Sequence, residues 1–275
     1  MTPKQRYLFD VTGYLHLENV LSPEELKQAQ EAADRYIRTP PEKWEPGFGA
    51  NLERPDFTPY SHGFAFDKAL ESFCFHPVTW PIVKELTGDK PRFTSGTLGR
   101  NTHGQQFHPL HCAREGGGGP EMPRYFCQDG QTYCDFFVVF FYLTDVMPGD
   151  GGLVVIPGSH KSEFLRPPDL FVPDSNENDP EPHPAVTNIT PRAGDVVIIS
   201  ELLTHGVLVW KPKDRDRRFL IMRYMPQYTT YGTFDPFPDE IQAKLSPETL
   251  ELVEVAPYKH VKEIVKQETV TLTCS

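Results

Sequence analysis

Ten histidines are scattered through the 275 residues, and their neighbours separate candidate ligands from filler. His111 stands just before the glycine run at 116–119, and His205 opens the apolar segment 205–210. Arg217 and Arg218 open the next apolar segment, which ends at Tyr224. Neutral imidazole suits borderline cations such as iron or zinc, and the planar fork of arginine meets a carboxylate through two parallel bonds. Taken singly, each has a plainer use. A lone histidine at a strand edge is most often a hydrogen-bonded structural group, and a lone arginine there is usually half of a surface ion pair. His108, three residues before His111, reads either as a ligand or as a pocket wall; His103 shares that ambiguity, and His160 reads as structural within the Pro157–Lys161 turn. Cys112, Cys127 and Cys134 lie near His111 in sequence but contain no Cys-x-x-Cys pair, so the zinc signal is weak. The glycine run lacks the lysine and the preceding strand of a phosphate loop.

The elements that must position these residues are mostly strands. The Tyr14–Leu17 segment predicts an entry strand. Ser22-Pro23-Glu24-Glu25 predicts a helix start, with Ser22 as cap, Pro23 in the first turn and Glu25 closing a capping box. Leu26, Ala29, Ala33 and Ile37 give that helix one buried stripe. Residues 39–63 read as irregular, and a short helix is expected near 66–87, interrupted at Phe75-His76-Pro77. Strands then dominate. The run 135–143 is apolar on both faces after Asp135, which predicts a central strand. Strands are also expected at 151–156, 195–200, 205–210 and 217–224, the last two joined by a hairpin turn at 211–216. Long loops are expected at 113–132 and 166–194, the second either an active-site cover or a solvated insertion. Ser246-Pro247 predicts one short helix in the tail. Many strands and turns with few intervening helices favour a barrel or jelly roll over a doubly wound sheet.

Composition sets further bounds. The chain carries 27 Lys and Arg against 38 Asp and Glu, a net charge of −11, which argues against a nucleic-acid partner. The 38% hydrophobic content supplies a core. The length fits a single domain over residues 1–275, with N-terminal helices packed on the strands. No apolar run reaches the roughly 18 residues a membrane span needs, and no secretory signal is evident at the N-terminus. Five cysteines with irregular spacing read as reduced thiols of a cytoplasmic protein.

Several segments together carry a more specific signal. Phe9–Leu15 with Leu21-Ser22, then Leu110-His111, then Leu143-Thr-Asp-Val-Met-Pro-Gly-Asp-Gly-Gly-Leu-Val-Val-Ile-Pro-Gly-Ser-His-Lys161 occur in order. Ala193–Ile198, His205-Gly206 and Arg217–Tyr224 follow. From about Phe9 to Tyr224 the chain resembles the phytanoyl-CoA dioxygenase family of iron(II)/2-oxoglutarate oxygenases, most distinctively over 143–161. The resemblance implies a mainly β fold with flanking helices: a double-stranded β-helix, or cupin-like jelly roll, with the metal in its mouth. It implies His111 and His205 as iron ligands and Arg217, seven residues before Tyr224, as the grip on the distal carboxylate of 2-oxoglutarate. Arg218 is the neighbouring candidate; alternation along a strand lets only one of the pair point inward. The implied reaction consumes O2 and 2-oxoglutarate, releases succinate and CO2, and oxidises a small organic substrate.

One departure stands out. The family pattern is His-x-Asp, with the third ligand two residues after the first. Here the triplet is His111-Cys112-Ala113, and Ala113 has no donor. Four readings follow: water or an anion fills the position; a carboxylate from Glu115, Asp135 or Glu201 reaches it; Cys112 binds, although alternation points it away; or the cup is a non-catalytic small-molecule binder. Chloride in the Ala113 gap would make the protein resemble the halogenases of this cofactor class.

Overall fold

The computed structural model describes residues 1–115, 123–164, 166–172, 181–230 and 237–273. The chain starts with helix α1 (Pro3–Thr12), strand β1 (Tyr14–Leu17) and helix α2 (Pro23–Arg38). Short strands β2 (Gly49–Ala50) and β3 (Thr58–Ser61) precede the short helices α3 (Lys68–Glu71) and α4 (Trp80–Leu86). Strands β4 (Pro91–Asn101), β5 (His108–His111), β6 (Tyr125–Gln128), β7 (Gln131–Cys134), β8 (Phe137–Tyr142) and β9 (Gly152–Val155) follow. Three two-residue strands, β10 (Phe171–Val172), β11 (Glu181–Pro182) and β12 (Thr187–Asn188), lead to β13 (Val196–Ser200), β14 (His205–Leu208) and β15 (Arg217–Pro226). Helices α5 (Asp239–Gln242) and α6 (Pro247–Val253) close the chain.

Two antiparallel sheets make the jelly roll. The larger has seven strands in the order β1-β13-β8-β15-β4-β3-β2, and the smaller has four, β12-β9-β14-β5. Every residue of β8 is buried, as its two-sided apolar run predicts. Its alternation separates two cores. Phe137, Val139 and Phe141 face the helical layer, with Ala29, Tyr36, Phe73 and Trp80 in the same cluster. Val138, Phe140 and Tyr142 face the space between the sheets, with Leu153, Val155, Phe219 and Ile221. Helix α2 starts at the capping box Ser22/Glu25 and lays Ala29, Ala32, Ala33 and Tyr36 on the large sheet. Gln30 also donates to the Leu143 carbonyl at 2.8 Å, fixing the helix against the end of β8.

The structure corrects several local expectations. Residues 3–12 are a helix, capped by Thr2 and Gln5, ahead of the expected strand. The expected helix near 66–87 is broken after Phe75, as Phe75-His76-Pro77 predicts, but its first part is α3 followed by a 3-10 turn at Ser72–Phe75, with α4 after the break. The segments opening at His205 and Arg217 do not form a hairpin: β14 pairs with β9 and β5, whereas β15 pairs with β8 and β4. The 211–216 turn therefore carries the chain from one sheet to the other, which puts His205 and Arg217 on opposite walls of one cup. The expected loop at 113–132 holds β6 and the start of β7, a hairpin around Asp129 and Gly130, both at positive φ. Of the expected loop at 166–194, the described part contributes β10, β11 and β12; residues 173–180, like the glycine run at 116–119, lie outside the described residues. Among the described residues no helix is long and apolar enough to cross a membrane.

Candidate active site

His111 ends β5 and His205 begins β14, and the two are register partners across that antiparallel pair. Directly opposed residues project to the same side of a sheet, so the rings meet, with centroids 4.2 Å apart. The strands can approach because Gly206 has no side chain: a Cβ there would stand 2.8 Å from the His108 carbonyl oxygen. Each imidazole is fixed by its own backbone. His111 Nδ1 lies 2.9 Å from the Pro109 carbonyl and His205 Nδ1 lies 2.7 Å from the Leu203 carbonyl. A carbonyl only accepts, so Nδ1 carries the hydrogen in both rings. Burial, opposed by the Glu201 carboxylate and reinforced by His111, pulls the His205 imidazole down to about 4. At neutral pH it therefore offers a lone pair at Nε2, the arrangement a metal-binding histidine requires.

Glu201 lies beside this pair. Its Oε1 accepts from Arg223 Nε at 2.8 Å, and its Oε2 stands 3.8 Å from His205 Nε2. Burial pushes this carboxyl up, but the Arg223 guanidinium beside it, bonded to Oε1, outweighs that and holds the group below the usual carboxylate range. The Ala113 amide donates to the Glu201 carbonyl at 2.7 Å, so the donorless position is seated against the residue that carries this carboxylate. The other acids are engaged elsewhere: Glu115 with Arg166 at 3.1 Å and Asp135 with Arg124 at 2.9 Å. Cys112 lines a different groove, with Arg114, Glu115 and Thr204, as its position one residue after His111 predicts. Among the described residues no three His, Cys, Asp or Glu side chains already converge as a ligand set.

His108 shares the cavity. Its Nδ1 is 2.9 Å from Asp56 Oδ2, and Arg54 clamps Asp56 through two bonds of 2.6 and 2.9 Å. Its ring lies edge-on to His111, 4.6 Å between centroids. Burial and then His111 lower its pKa, against Asp56. This Arg54–Asp56–His108 chain was invisible in the sequence, where its ends lie 54 positions apart and Arg54 and Asp56 sit in a stretch that reads as irregular.

Arg217 stands on the far wall. It is 1% exposed, its Nη1 donates to Asn101 Oδ1 at 3.0 Å and its Nη2 to Tyr142 Oη at 2.9 Å. The guanidinium lies 4.1 Å over the Phe219 ring. Its Nε has no hydrogen-bond partner, and among the described residues no acidic side chain pairs with it. A buried cation without a counter-ion among the described residues is costly, and an incoming anion would offset that cost. Arg218, one residue on, points to the other side of the sheet and pairs with Asp34 and Asp216. His111, His205, Arg217, His108, Phe140 and Arg223 all line one cavity of about 330 Å³, whose remaining wall is largely apolar, including Phe57, Leu153, Val207 and Ile221. His103 lies apart, its Nδ1 on the Lys211 carbonyl, and His160 is buried against Tyr125.

The family model described as phytanoyl-CoA dioxygenase (PhyH) matches residues 9–207. The chain belongs to the PhyH family. PhyH membership makes it an enzyme of the 2-oxoglutarate-dependent dioxygenase type. Among solved structures, HygX from Streptomyces hygroscopicus with nickel and 2-oxoglutarate bound superposes with a TM-score of 0.65 at 22% identity, covering 88% of this chain and 94% of that one. EctD from S. alaskensis, with 2-oxoglutarate and 5-hydroxyectoine, gives 0.62 at 19%, covering 82% and 76%. The epimerase SnoN from nogalamycin biosynthesis gives 0.62 at 15%, covering 86% and 89%. These likenesses establish the double-stranded β-helix fold. A search of curated proteins returned no match. The PhyH match ends at residue 207, before Arg217, so the arginine is placed by the structure and not by the family span.

Proposed function

We propose that this PhyH protein, acting as one domain over residues 1–275, uses iron(II) and 2-oxoglutarate to hydroxylate a small organic substrate in the cup. The observation that carries the reading is the buried Arg217, without an acidic partner among the described residues, facing two imidazoles whose Nδ1 atoms are already tied off. His111 and His205 would hold the metal through Nε2. When bound, the metal and 2-oxoglutarate together supply the O2 activation that breaks an unactivated C–H bond, with succinate and CO2 as coproducts. The protein's own contribution is positioning. Arg217 holds the distal carboxylate of 2-oxoglutarate, with Asn101 and Tyr142 keeping the guanidinium in place. The apolar residues Phe140, Leu153 and Ile221 keep the cavity dry and seat a substrate. The neighbouring structures with hygromycin B or 5-hydroxyectoine bound support a small-molecule substrate class. The free thiols Cys74, Cys112, Cys127 and Cys134 fit a reducing cytoplasm.

Anaerobic addition of Fe(II) and then 2-oxoglutarate tests this. A charge-transfer band in the wild type that is lost in His111→Ala and in His205→Ala supports the reading; a wild type with no band sinks it and favours a non-catalytic binding cup. A second reading, chloride in place of a third protein ligand, rests on the missing donor at Ala113. It predicts chloride-dependent spectra of the iron complex, and chloride-insensitive spectra remove it.

A further inference from the structure

We propose that Glu201 supplies the carboxylate ligand that position 113 lacks. The inference rests on the reading of His111 and His205 as the other two ligands. Three observations carry it. First, the Glu201 carboxylate lies beside the pair, with Oε2 3.8 Å from His205 Nε2. Two donors about 2.0–2.2 Å from one ion, at right to tetrahedral angles, stand about 3.0–3.5 Å apart, so Oε2 needs to move inward by less than about 1 Å to share an ion with His205. Second, the carboxylate is half-committed. Arg223 Nε holds Oε1 at 2.8 Å and leaves Oε2 available. Metal-binding carboxylates are commonly steadied by a hydrogen bond of this kind on their outer oxygen. Third, the backbone places it at the gap, because the Ala113 amide donates to the Glu201 carbonyl at 2.7 Å.

The donor set is then two neutral imidazoles and one carboxylate, the chemistry of the usual triad, with the carboxylate delivered from the segment before β14 instead of from the residue two after His111. Binding draws Oε2 inward about the Arg223 contact, since in the described structure the three donors do not yet converge. Glu115 and Asp56 cannot substitute without giving up both bonds to Arg166 or the Arg54–His108 clamp.

The test is Co(II) titration of the full-length protein, read by ligand-field absorption and by competition with a chelator. The proteins are wild type, Glu201→Gln, Ala113→Asp and the double variant. Expected are a loss of at least about tenfold in Co(II) affinity and an altered spectrum in Glu201→Gln, with both restored by adding Ala113→Asp. Unchanged affinity in Glu201→Gln overturns the proposal. So does a loss that Ala113→Asp leaves unrestored, which would make Glu201 a positioning residue. If Glu201→Gln does not fold, the single variant Ala113→Asp decides. With Glu201 already bound, a carboxylate at 113 raises Co(II) affinity less than about fivefold; a larger gain means the position was vacant and refutes the idea. A wild type that binds no Co(II) defeats the histidine reading itself, whereas wild-type binding with a silent Glu201 defeats only this step.

Discussion

Replacing Arg217 with methionine separates two consequences that usually travel together. Methionine keeps much of the side-chain volume and removes the charge. In the unliganded protein, the variant loses the hydrogen bonds to Asn101 and Tyr142 at 3.0 and 2.9 Å. Bonds to a charged group contribute about 1.5–3 kcal/mol each. Against this, the variant also loses a buried charge that has no acidic partner among the described residues, whose burial costs several kcal/mol. The two terms nearly cancel, so Arg217→Met stays within about 2 kcal/mol of wild type, or about 4–8 °C in Tm for a chain of this size. The ligand side does not cancel. A buried carboxylate that loses its cationic partner forfeits about 3–5 kcal/mol, so 2-oxoglutarate binds about 150- to 5,000-fold more weakly. Thermal unfolding without ligand gives the first quantity, and anaerobic 2-oxoglutarate titration of the metal-loaded protein gives the second. Binding within about fivefold of wild type would refute the assignment of Arg217 as the carboxylate grip.

Four further outcomes are expected. Burial pulls His160 down from 6.5 to about 4, so the folded state refuses a proton that the unfolded chain accepts; stability is full above pH 6.5, drains as pH falls, and levels off near 4. Urea unfolding should show the wild type losing about 3 kcal/mol more than His160→Leu between pH 7 and pH 4, and parallel profiles would contradict this. If His111 and His205 alone supply the imidazoles, His108→Ala should change Co(II) affinity less than about threefold; a tenfold loss would make it a ligand through Nε2, since Asp56 holds its Nδ1. Phe141→Ala should cost about 3–5 kcal/mol in denaturant unfolding with unchanged 2-oxoglutarate affinity, since Phe141 faces the helical layer, whereas Phe140→Ala should alter binding in the cavity it lines. Gly206→Ala should weaken metal binding by pushing β5 away from β14, as its Cβ would meet the His108 carbonyl at 2.8 Å; an affinity equal to wild type would show that this close approach is dispensable.

The sequence made some of this legible and hid the rest for identifiable reasons. The two-sided apolar run of β8 announced a central strand, and Ser22 with Glu25 announced α2, because both signals are local. The start of α1 was equally local: Thr2-Pro3-x-Gln5 is a capping box with proline in the first turn. The hairpin of β6 and β7 carried its own mark in Asp129-Gly130, the dipeptide that tight β-turns favour. The family motif located His111 and His205 but could say nothing about the vacancy at Ala113. What closes the site is long-range. Arg223 reaches Glu201 from β15, and Asp56 reaches His108 from the segment before β3. The choice between Arg217 and Arg218 turns on which side of the large sheet faces the cup. A turn that reads as a hairpin link in fact changes sheets, and no local pattern in 211–216 encodes that difference.

The central claim is that two imidazoles and one guanidinium in a single cup receive iron(II) and 2-oxoglutarate. An anaerobic crystal structure of the protein soaked with both examines it most directly. Iron is expected on Nε2 of His111 and of His205, with the far carboxylate of 2-oxoglutarate on Arg217. Iron held by other residues, or 2-oxoglutarate bound away from Arg217, would contradict it.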